Sequence, residues 1–215
     1  MIKADLHLHT CYSMDCAMSL EQIIDRSLKI GINCLAVTDH NTIEGALRLK
    51  ELAPFPIIVG EEILTTGGEI IGLFLTTEIP GGLSPEETVG RIKSQGGLVC
   101  IPHPYDTLRF SASRDSMFES LMPEINIIEV FNARSIFPSA TNKAWQLAQK
   151  YGKPMSAGSD AHSPQEIGNA YVEMPPFGDK ETFITSLEQG RIGGSRSSPI
   201  VHFHSTWARL KKQLF

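Results

Sequence analysis

The sequence predicts an α/β domain built on a largely parallel β-sheet with crossover helices. Short apolar segments alternate with amphipathic segments from the N-terminus to about Pro199, which is the pattern of repeated βα units. Polar residues of the kinds that bind metal ions follow the predicted strands, at the point where each strand ends. A length of 215 residues suffices for one sizeable core, so we expect a single domain spanning 1–215.

The first strand is predicted from the segment ADLHLH, in which apolar and polar side chains alternate. Asp5, His7 and His9 then lie on one face of the strand. Side chains two residues apart on a strand are about 6–7 Å apart, so both imidazoles can reach one metal ion. A solvated strand face would show the same pattern, so this stretch alone leaves metal binding open.

Two of the predicted helices carry clear signals at their ends. Ser19 is a predicted N-cap with Gln22 three residues later, and Gly31 ends that helix. Ser84 is the N-cap of a second helix, and Glu87 completes its capping box. These signals define where the helices begin more sharply than the apolar periodicity does.

The other elements follow from apolar runs and helical periodicity. The further predicted strands are CLAVTDH, PIIVGEEI, EIIGLFL, GLVCIPHP, INIIEVFNAR, PMSAGSDAH and AYVEMP. The further predicted helices are NTIEGALRLKELA, ATNKAWQLAQKYG and KETFITSLEQG.

Strand after strand ends in side chains that can bind metal ions. In a barrel of parallel strands the C-terminal ends lie on one rim, so residues distant in sequence converge there. Packing alone does not explain why most of the histidines, each accompanied by an oxygen ligand, stand at equivalent positions. The sequence therefore predicts a metal site on this rim, formed by the strand-end residues His7, His9, Asp39, His40, Glu61, Glu62, His103, Asn132, Asp160 and His162.

Composition narrows the function classes. A formal net charge of −5 argues against the broad basic surface that binds duplex nucleic acid. No apolar run is long enough to cross a bilayer and no signal peptide precedes the first strand, so we expect a cytoplasmic protein without membrane contact. The cysteines lack CxxC spacing, which fits reduced thiols; they are Cys11, Cys16, Cys34 and Cys100.

Six motifs in order resemble those of the PHP (polymerase and histidinol phosphatase) superfamily: DLHLHTCYSMDC, VTDHNT, VGEEI, IPHP, EVFNAR and GSDAH. The resemblance extends from Asp5 to about Ile167, with family-like structure to Pro199. It implies a distorted (β/α)7 TIM-like barrel with a metal site at the C-terminal ends of the strands. It also implies two or three divalent metal ions and, in most members, hydrolysis of phosphate esters.

The resemblance assigns ligands to each ion. The first ion is assigned His7, His9, Glu62 and Asp160; the second is assigned Glu62, as a bridge, with His103 and Asn132; the third is assigned Asp15, His40 and His162. Glu61 is expected to face away from Glu62 by strand alternation. Nitrogen and oxygen ligands without thiolate suit zinc, manganese or iron.

Further residues are candidates for supporting roles. Arg134 and Arg109 are predicted to bind phosphate, because a planar guanidinium can contact two oxygens at once. Asp5 and Asp39 are candidates to accept a hydrogen bond from a ligand imidazole, although a capping role or a rim charge fits them equally well. A C-terminal tail helix is predicted at about 200–215, and the nearby His202 and His204 repeat the HxH spacing.

The predicted function is hydrolysis of phosphate esters by a metal-activated hydroxide. The expected substrate is a small phosphorylated metabolite, a nucleotide or a nucleic-acid terminus, with short single-stranded nucleic acid as a further candidate partner. One alternative is an amidohydrolase-type metal hydrolase, many of which bridge their metals with a carboxylated lysine where this chain has VGEEI. Another is a non-catalytic metal-binding module accessory to a polymerase.

Overall fold

The computed structural model describes residues 1–106 and 120–198 of the chain. Arg109, His202, His204 and the predicted C-terminal helix lie outside these residues. The described strands are β1 (Ile2–Leu8), β2 (Cys34–Val37), β3 (Ile57–Thr65), β4 (Gly68–Leu73), β5 (Leu98–Ile101), β6 (Ile127–Asn132), β7 (Met155–Gly158), β8 (Ala170–Met174) and β9 (Arg191–Gly194).

The strands form one sheet in the order β7-β6-β5-β4-β3-β2-β1-β8-β9. Strands β1, β2 and β3 are parallel, as are β5, β6 and β7, whereas β4 is antiparallel to β3 and β5. The link between β3 and β4 is Thr66-Gly67, and so short a link allows only antiparallel pairing. Strands β8 and β9 extend the sheet beyond β1 by antiparallel pairing.

The sheet curls until β7 meets β1, which nearly closes a barrel. The Asp160 N–H donates to the carbonyl of His7 over 2.7 Å, and the His9 N–H donates to the carbonyl of Ala161 over 3.0 Å. The predicted α/β barrel is thus confirmed. The antiparallel strand β4 interrupts the parallel order of β1–β3 and β5–β7 and so distorts the barrel.

The helices surround this sheet at nearly the predicted positions. Ser19 with Gln22 and Ser84 with Glu87 form the two predicted capping boxes, and Gly31 ends α1 in the left-handed region with φ 74°. A short 3₁₀ helix, Met122–Glu124, and strand β9 were not predicted. The helices are α1 (Leu20–Ile30), α2 (Glu44–Leu52), α3 (Pro85–Ser94), α4 (Pro138–Tyr151) and α5 (Lys180–Glu188).

Helix α5 packs at the N-terminal ends of the parallel strands. Lys180 Nζ donates to the carbonyl of Gly96, just before β5, over 2.7 Å. The buried ring of Phe183 packs edge-on against Phe74, which follows the antiparallel β4, with centroids 5.3 Å apart. Apolar side chains therefore fill this end of the barrel, and the polar strand ends lie at the opposite rim.

Two observations within the described residues bear on the expectations from composition. No helix in 1–106 or 120–198 is both long and apolar enough to span a membrane. The cysteines are thiols, of which Cys11 is exposed and Cys16, Cys34 and Cys100 are buried. The fold therefore depends on packing and hydrogen bonds rather than on cross-links.

Barrel closure requires glycine at position 158. A Cβ atom there would overlap Cβ of His7 and lie 2.7 Å from the His7 nitrogen. We predict that Gly158→Ala lowers the free energy of unfolding by about 1–3 kcal/mol, as overpacking does in cores. Chemical denaturation measures this change.

The matched control for this substitution is Gly90→Ala, in the exposed face of α3, where a Cβ meets no atom within 4 Å. It should raise the free energy of unfolding by about 0.5–1 kcal/mol, because alanine favours helix. Equal stability of Gly158→Ala and the native chain would contradict the close approach of β7 to β1.

Candidate metal centre

The C-terminal rim of the barrel carries a first cluster made of His9, Asp15, His40 and His162, whose ligand atoms lie within 4.8 Å of one another. Asp15 Oδ2 lies 3.3 Å from His40 Nε2 and 3.1 Å from His162 Nε2. The ring of His9 lies between the two, with its centroid 4.6 Å from that of His40 and 4.3 Å from that of His162. The structure thus brings together the three residues predicted for the third ion and adds His9.

Glu62 lies at the centre of the remaining imidazoles. Its Oε1 is 3.0 Å from His103 Nε2. Its Oε2 is 3.4 Å from His7 Nε2, 3.5 Å from His9 Nε2 and 3.3 Å from His40 Nδ1. A carboxylate surrounded in this way has the position of a bridging ligand between neighbouring ions.

Asp160 completes a further cluster with His7 in β1 and His9 just after it. Its Oδ1 lies 3.3 Å from His9 Nε2 and 3.8 Å from His7 Nε2. Asp160 has φ 55° and His103 has φ 28°, in the left-handed region that residues other than glycine rarely adopt. Such strained backbone is concentrated at functional sites, where the surrounding structure maintains it.

Several buried atoms of the centre lack a hydrogen bond to any described residue. They are His7 Nε2, both ring nitrogens of His9, and Glu62 Oε2. Each unsatisfied buried group costs about 1–3 kcal/mol, and coordination of a cation would remove that cost. Imidazole nitrogens and carboxylate oxygens are ligands of divalent zinc, manganese and iron, so the residues present fit such ions.

The side chains of the centre differ in charge. Burial is the largest influence on His9 and, reinforced by His162, lowers its pKa to about 3, so the ring is in the neutral form that binds metals. Burial opposes ionisation of Glu62, but the imidazoles of His7 and His40 outweigh it and hold the pKa of this carboxyl well below its usual value. Burial disfavours the charged forms of His7 and His40, but the neighbouring carboxylates outweigh it and raise the pKa of both imidazoles. Without a metal ion the centre therefore presents an ionised carboxylate beside one neutral imidazole and two that hold a proton more tightly than usual.

Glu129 orients the ligands, and sequence reasoning did not single it out. Its Oε1 lies 3.0 Å from His7 Nδ1, which leaves Nε2 directed at Glu62. Its Oε2 accepts hydrogen bonds from the His103 N–H at 2.8 Å and from Asn132 Nδ2 at 3.1 Å. Its one signal in the sequence is a charged residue inside the apolar strand INIIEVF, because a buried carboxylate requires partners.

Glu69, in the second position of β4, is another residue that sequence reasoning missed. Its carboxylate forms a cluster with His40 and Glu62. The strand-end rule could not select it, because β4 is antiparallel and its beginning, not its end, lies on the rim.

Asn132 and Arg134 lie beside the clusters, and their polar groups are engaged. The Asn132 amide nitrogen also donates to Asp160 Oδ2 at 3.2 Å, and its oxygen accepts from the Arg134 N–H at 2.9 Å. The buried guanidinium of Arg134 contacts His162 Nδ1, lies 3.4 Å from the Asp160 carbonyl, and has Nε 3.5 Å from Glu166 Oε1.

The carboxylates of Asp5 and Asp39 accept hydrogen bonds from backbone N–H groups and from a hydroxyl rather than from the imidazoles of the centre. Asp5 accepts from the N–H groups of Ser159 and Gly168 at 2.8 and 2.9 Å, and Asp39 accepts from the N–H and hydroxyl of Thr10. Burial raises the pKa of both carboxyls to about 6. The expectation that either accepts a hydrogen bond from a ligand imidazole is therefore not met among the described residues, and Glu129 has that role for His7.

Glu61 faces away from Glu62, as strand alternation predicts. Its Oε2 accepts the N–H of Ile79 at 3.0 Å. Burial raises the pKa of this carboxyl to about 8. Glu62 is thus the carboxylate that β3 directs to the centre.

The chain is similar in sequence to known proteins over most of its length. A family model described as the PHP domain matches residues 5–66, and a model described as PHP-associated matches residues 138–192. An uncharacterized protein of Methanocaldococcus jannaschii is 44% identical over 145 residues, which are 61% of this chain and 82% of that protein.

Two solved structures share the fold at low sequence identity. A two-domain protein of Bacteroides vulgatus that contains a predicted PHP-like metal-dependent phosphoesterase has a TM-score of 0.72 and 17% identity; the match covers 90% of this chain and 65% of that one, less than two thirds of its length. An amidohydrolase of Chromobacterium violaceum has a TM-score of 0.64 and 19% identity, covering 94% of this chain and 96% of that one. The two family models and the relative of 44% identity show that the chain belongs to the PHP family.

Proposed function

We propose that this PHP-family protein is a metal-dependent phosphoesterase. The observation that carries the proposal is the convergence of histidine and carboxylate ligands around Glu62, with buried donor atoms that lack hydrogen bonds to the described residues. Supporting it, the chain belongs to the PHP family, and a structure with the same fold is described as containing a predicted PHP-like metal-dependent phosphoesterase.

The proposed ligands follow the geometry of the rim. His7, His9, Glu62 and Asp160 would hold the first ion. Asp15, His40 and His162 would hold the third ion, with His9 within reach of the same cluster. The second ion would be bound by Glu62 and His103, and the sequence adds Asn132 to this set. Zinc, manganese and iron are the candidate metals.

Divalent ions at such a centre lower the pKa of a bound water towards neutrality and offset the charge of a phosphate group. The chain's own residues hold the proposed metal ligands in place. Glu129 fixes the ring of His7, and the backbone hydrogen bond from Asp160 to His7 fixes the distance between β1 and β7. Ligands held in this way need little reorganisation when the substrate binds.

The substrate is expected to approach beside Asp15, His40 and Glu69. Their side chains are 19%, 15% and 16% exposed, whereas those of His7, His9 and Glu62 are at most 1% exposed. An edge of this kind admits the phosphate of a small metabolite, a nucleotide or a nucleic-acid terminus. We propose these as the substrate classes.

An amidohydrolase activity is the second candidate, because an amidohydrolase shares the fold. Against it, the bridging position holds the carboxylate of Glu62, so a carboxylated lysine is not needed there. A non-catalytic accessory module is the third candidate. The near-complete ligand set speaks against loss of catalysis.

The function is tested with protein reconstituted separately with manganese, zinc and iron. The substrates are p-nitrophenyl phosphate, bis-p-nitrophenyl phosphate, adenosine 3′,5′-bisphosphate, histidinol phosphate, a 5′-phosphorylated RNA oligomer and an N-acetylated amino acid. We expect hydrolysis of at least one phosphate ester, and its loss on chelation. His9→Ala should reduce it at least about 100-fold, because even loss of an outer-shell partner of a metal ligand costs about 10–100-fold.

Two outcomes would overturn this proposal. Hydrolysis of the amide alone would favour the amidohydrolase. Full metal loading without hydrolysis of any substrate would favour the accessory module.

The phosphate-binding role predicted for Arg134 is tested separately. Arg134→Gln should raise KM for the phosphate ester about 10–100-fold, the value of a charge-assisted hydrogen bond, with unchanged metal content. Arg48→Gln, an exposed arginine on α2, is the matched control and should leave KM unchanged. Unchanged kinetics of Arg134→Gln would refute phosphate binding. A loss of metal, with a normal KM once the metal is restored, would also refute it and would make Arg134 a residue that positions His162.

A further inference from the structure

Glu69 stands where β4 begins, on the rim at which the parallel strands end. It pairs with Leu64 of the antiparallel neighbour β3, so the hairpin places it near Glu62. Glu69 Oε2 lies 3.8 Å from His103 Nε2. A ligand atom of its carboxylate lies within 4.8 Å of those of His40 and Glu62. Four side chains from four segments of the chain therefore converge at this edge.

The carboxylate of Glu69 has no hydrogen bond to any described residue, and its one ion-pair contact among them is with His103. The same imidazole is 3.0 Å from Glu62 Oε1, while Glu62 Oε2 is fully buried without a hydrogen bond to the described part of the chain. Two carboxylates thus share one imidazole. Like charges this close repel each other unless a cation lies between them.

Asn132 contributes to this centre differently. Its amide nitrogen lies between two carboxylate oxygens, those of Glu129 and Asp160, and must donate to both. Its amide oxygen accepts the backbone N–H of Arg134. These hydrogen bonds hold the amide as a link between ligands, and they leave the pair Glu62 and His103 in need of another oxygen.

We propose that Glu69 is a ligand of the second ion, together with Glu62 and His103. This inference rests on the metal binding assumed in the proposed function and extends it to a residue on the antiparallel strand. One imidazole and two carboxylates form a harder donor set than the histidine-rich cluster around His9. The second site should therefore prefer manganese or ferrous iron over zinc, relative to the other sites.

The test is a titration of metal-free protein with Mn²⁺, followed by electron paramagnetic resonance and calorimetry. Glu69→Gln keeps the size of the side chain and removes its charge, and it should lose one Mn²⁺ site or weaken it at least about tenfold. Glu69→Asp keeps the carboxylate and should bind more tightly than Glu69→Gln. Glu78→Gln, an exposed glutamate after the same hairpin, should titrate like the native chain.

A double variant tests whether Glu69 and His103 bind the same Mn²⁺ ion. His103→Ala should lose the same Mn²⁺ site, and the double variant should lose no more than either single variant. Thermal unfolding of the metal-free variants verifies that each one folds. The assignment is overturned if Glu69→Gln binds as many Mn²⁺ ions as the native chain with the same affinity. It is also overturned if Glu78→Gln loses as much Mn²⁺ binding as Glu69→Gln, because the loss would then be a nonspecific effect of charge.

These readouts are independent of catalysis. A native chain that binds its ions but hydrolyses no phosphate ester would overturn the proposed function, yet a lost Mn²⁺ site in Glu69→Gln would still support the ligand assignment. Conversely, if the native enzyme is active and Glu69→Gln binds Mn²⁺ like the native chain, the proposed function would be supported and the ligand assignment overturned.

Discussion

The closure of β7 onto β1 is the contact on which the rest of the centre depends. It joins residues more than 150 positions apart through two backbone hydrogen bonds, one from Asp160 to His7 and one from His9 to Ala161. The approach is possible because Gly158 has no side chain where it meets His7. Without this contact His7 and His9 would not lie beside Asp160.

Closure also concentrates buried polar groups, and the protein stabilises only some of them internally. Glu129 pairs with Nδ1 of His7 and accepts the backbone N–H of His103, and Asp5 accepts the N–H of Ser159 in the turn after β7. Among the buried atoms that remain without hydrogen bonds to the described residues, His7 Nε2, both ring nitrogens of His9 and Glu62 Oε2 lie at the centre. Natural proteins carry such locally unfavourable features at functional sites, where a ligand completes them.

The side chains of the centre differ in their exposure to solvent, and this difference bears on the proposed chemistry. The side chains of His7, His9 and Glu62 are inaccessible to solvent, which would suit the binding of ions that organise the site. Asp15, His40 and Glu69 keep partial contact with solvent, which would suit the place where a phosphate group arrives in the proposed function. Phosphoryl transfer depends mainly on positioning and charge stabilisation, so a buried inner set and an accessible outer set together would meet the needs of the proposed phosphoesterase.

The sequence by itself determined the alternation of strands and helices, both capping boxes and the side chains that reach the rim from parallel strands. These features are local, because periodicity, caps and strand ends depend on neighbouring residues. Only the tertiary structure decided which groups Glu69, Glu129 and Asn132 contact. Glu69 reaches the rim through the direction of a hairpin strand, Glu129 is defined by partners on other strands, and the orientation of the Asn132 amide follows from two carboxylates distant in the chain. Contacts between distant segments have no periodic signature, so the sequence alone does not show them.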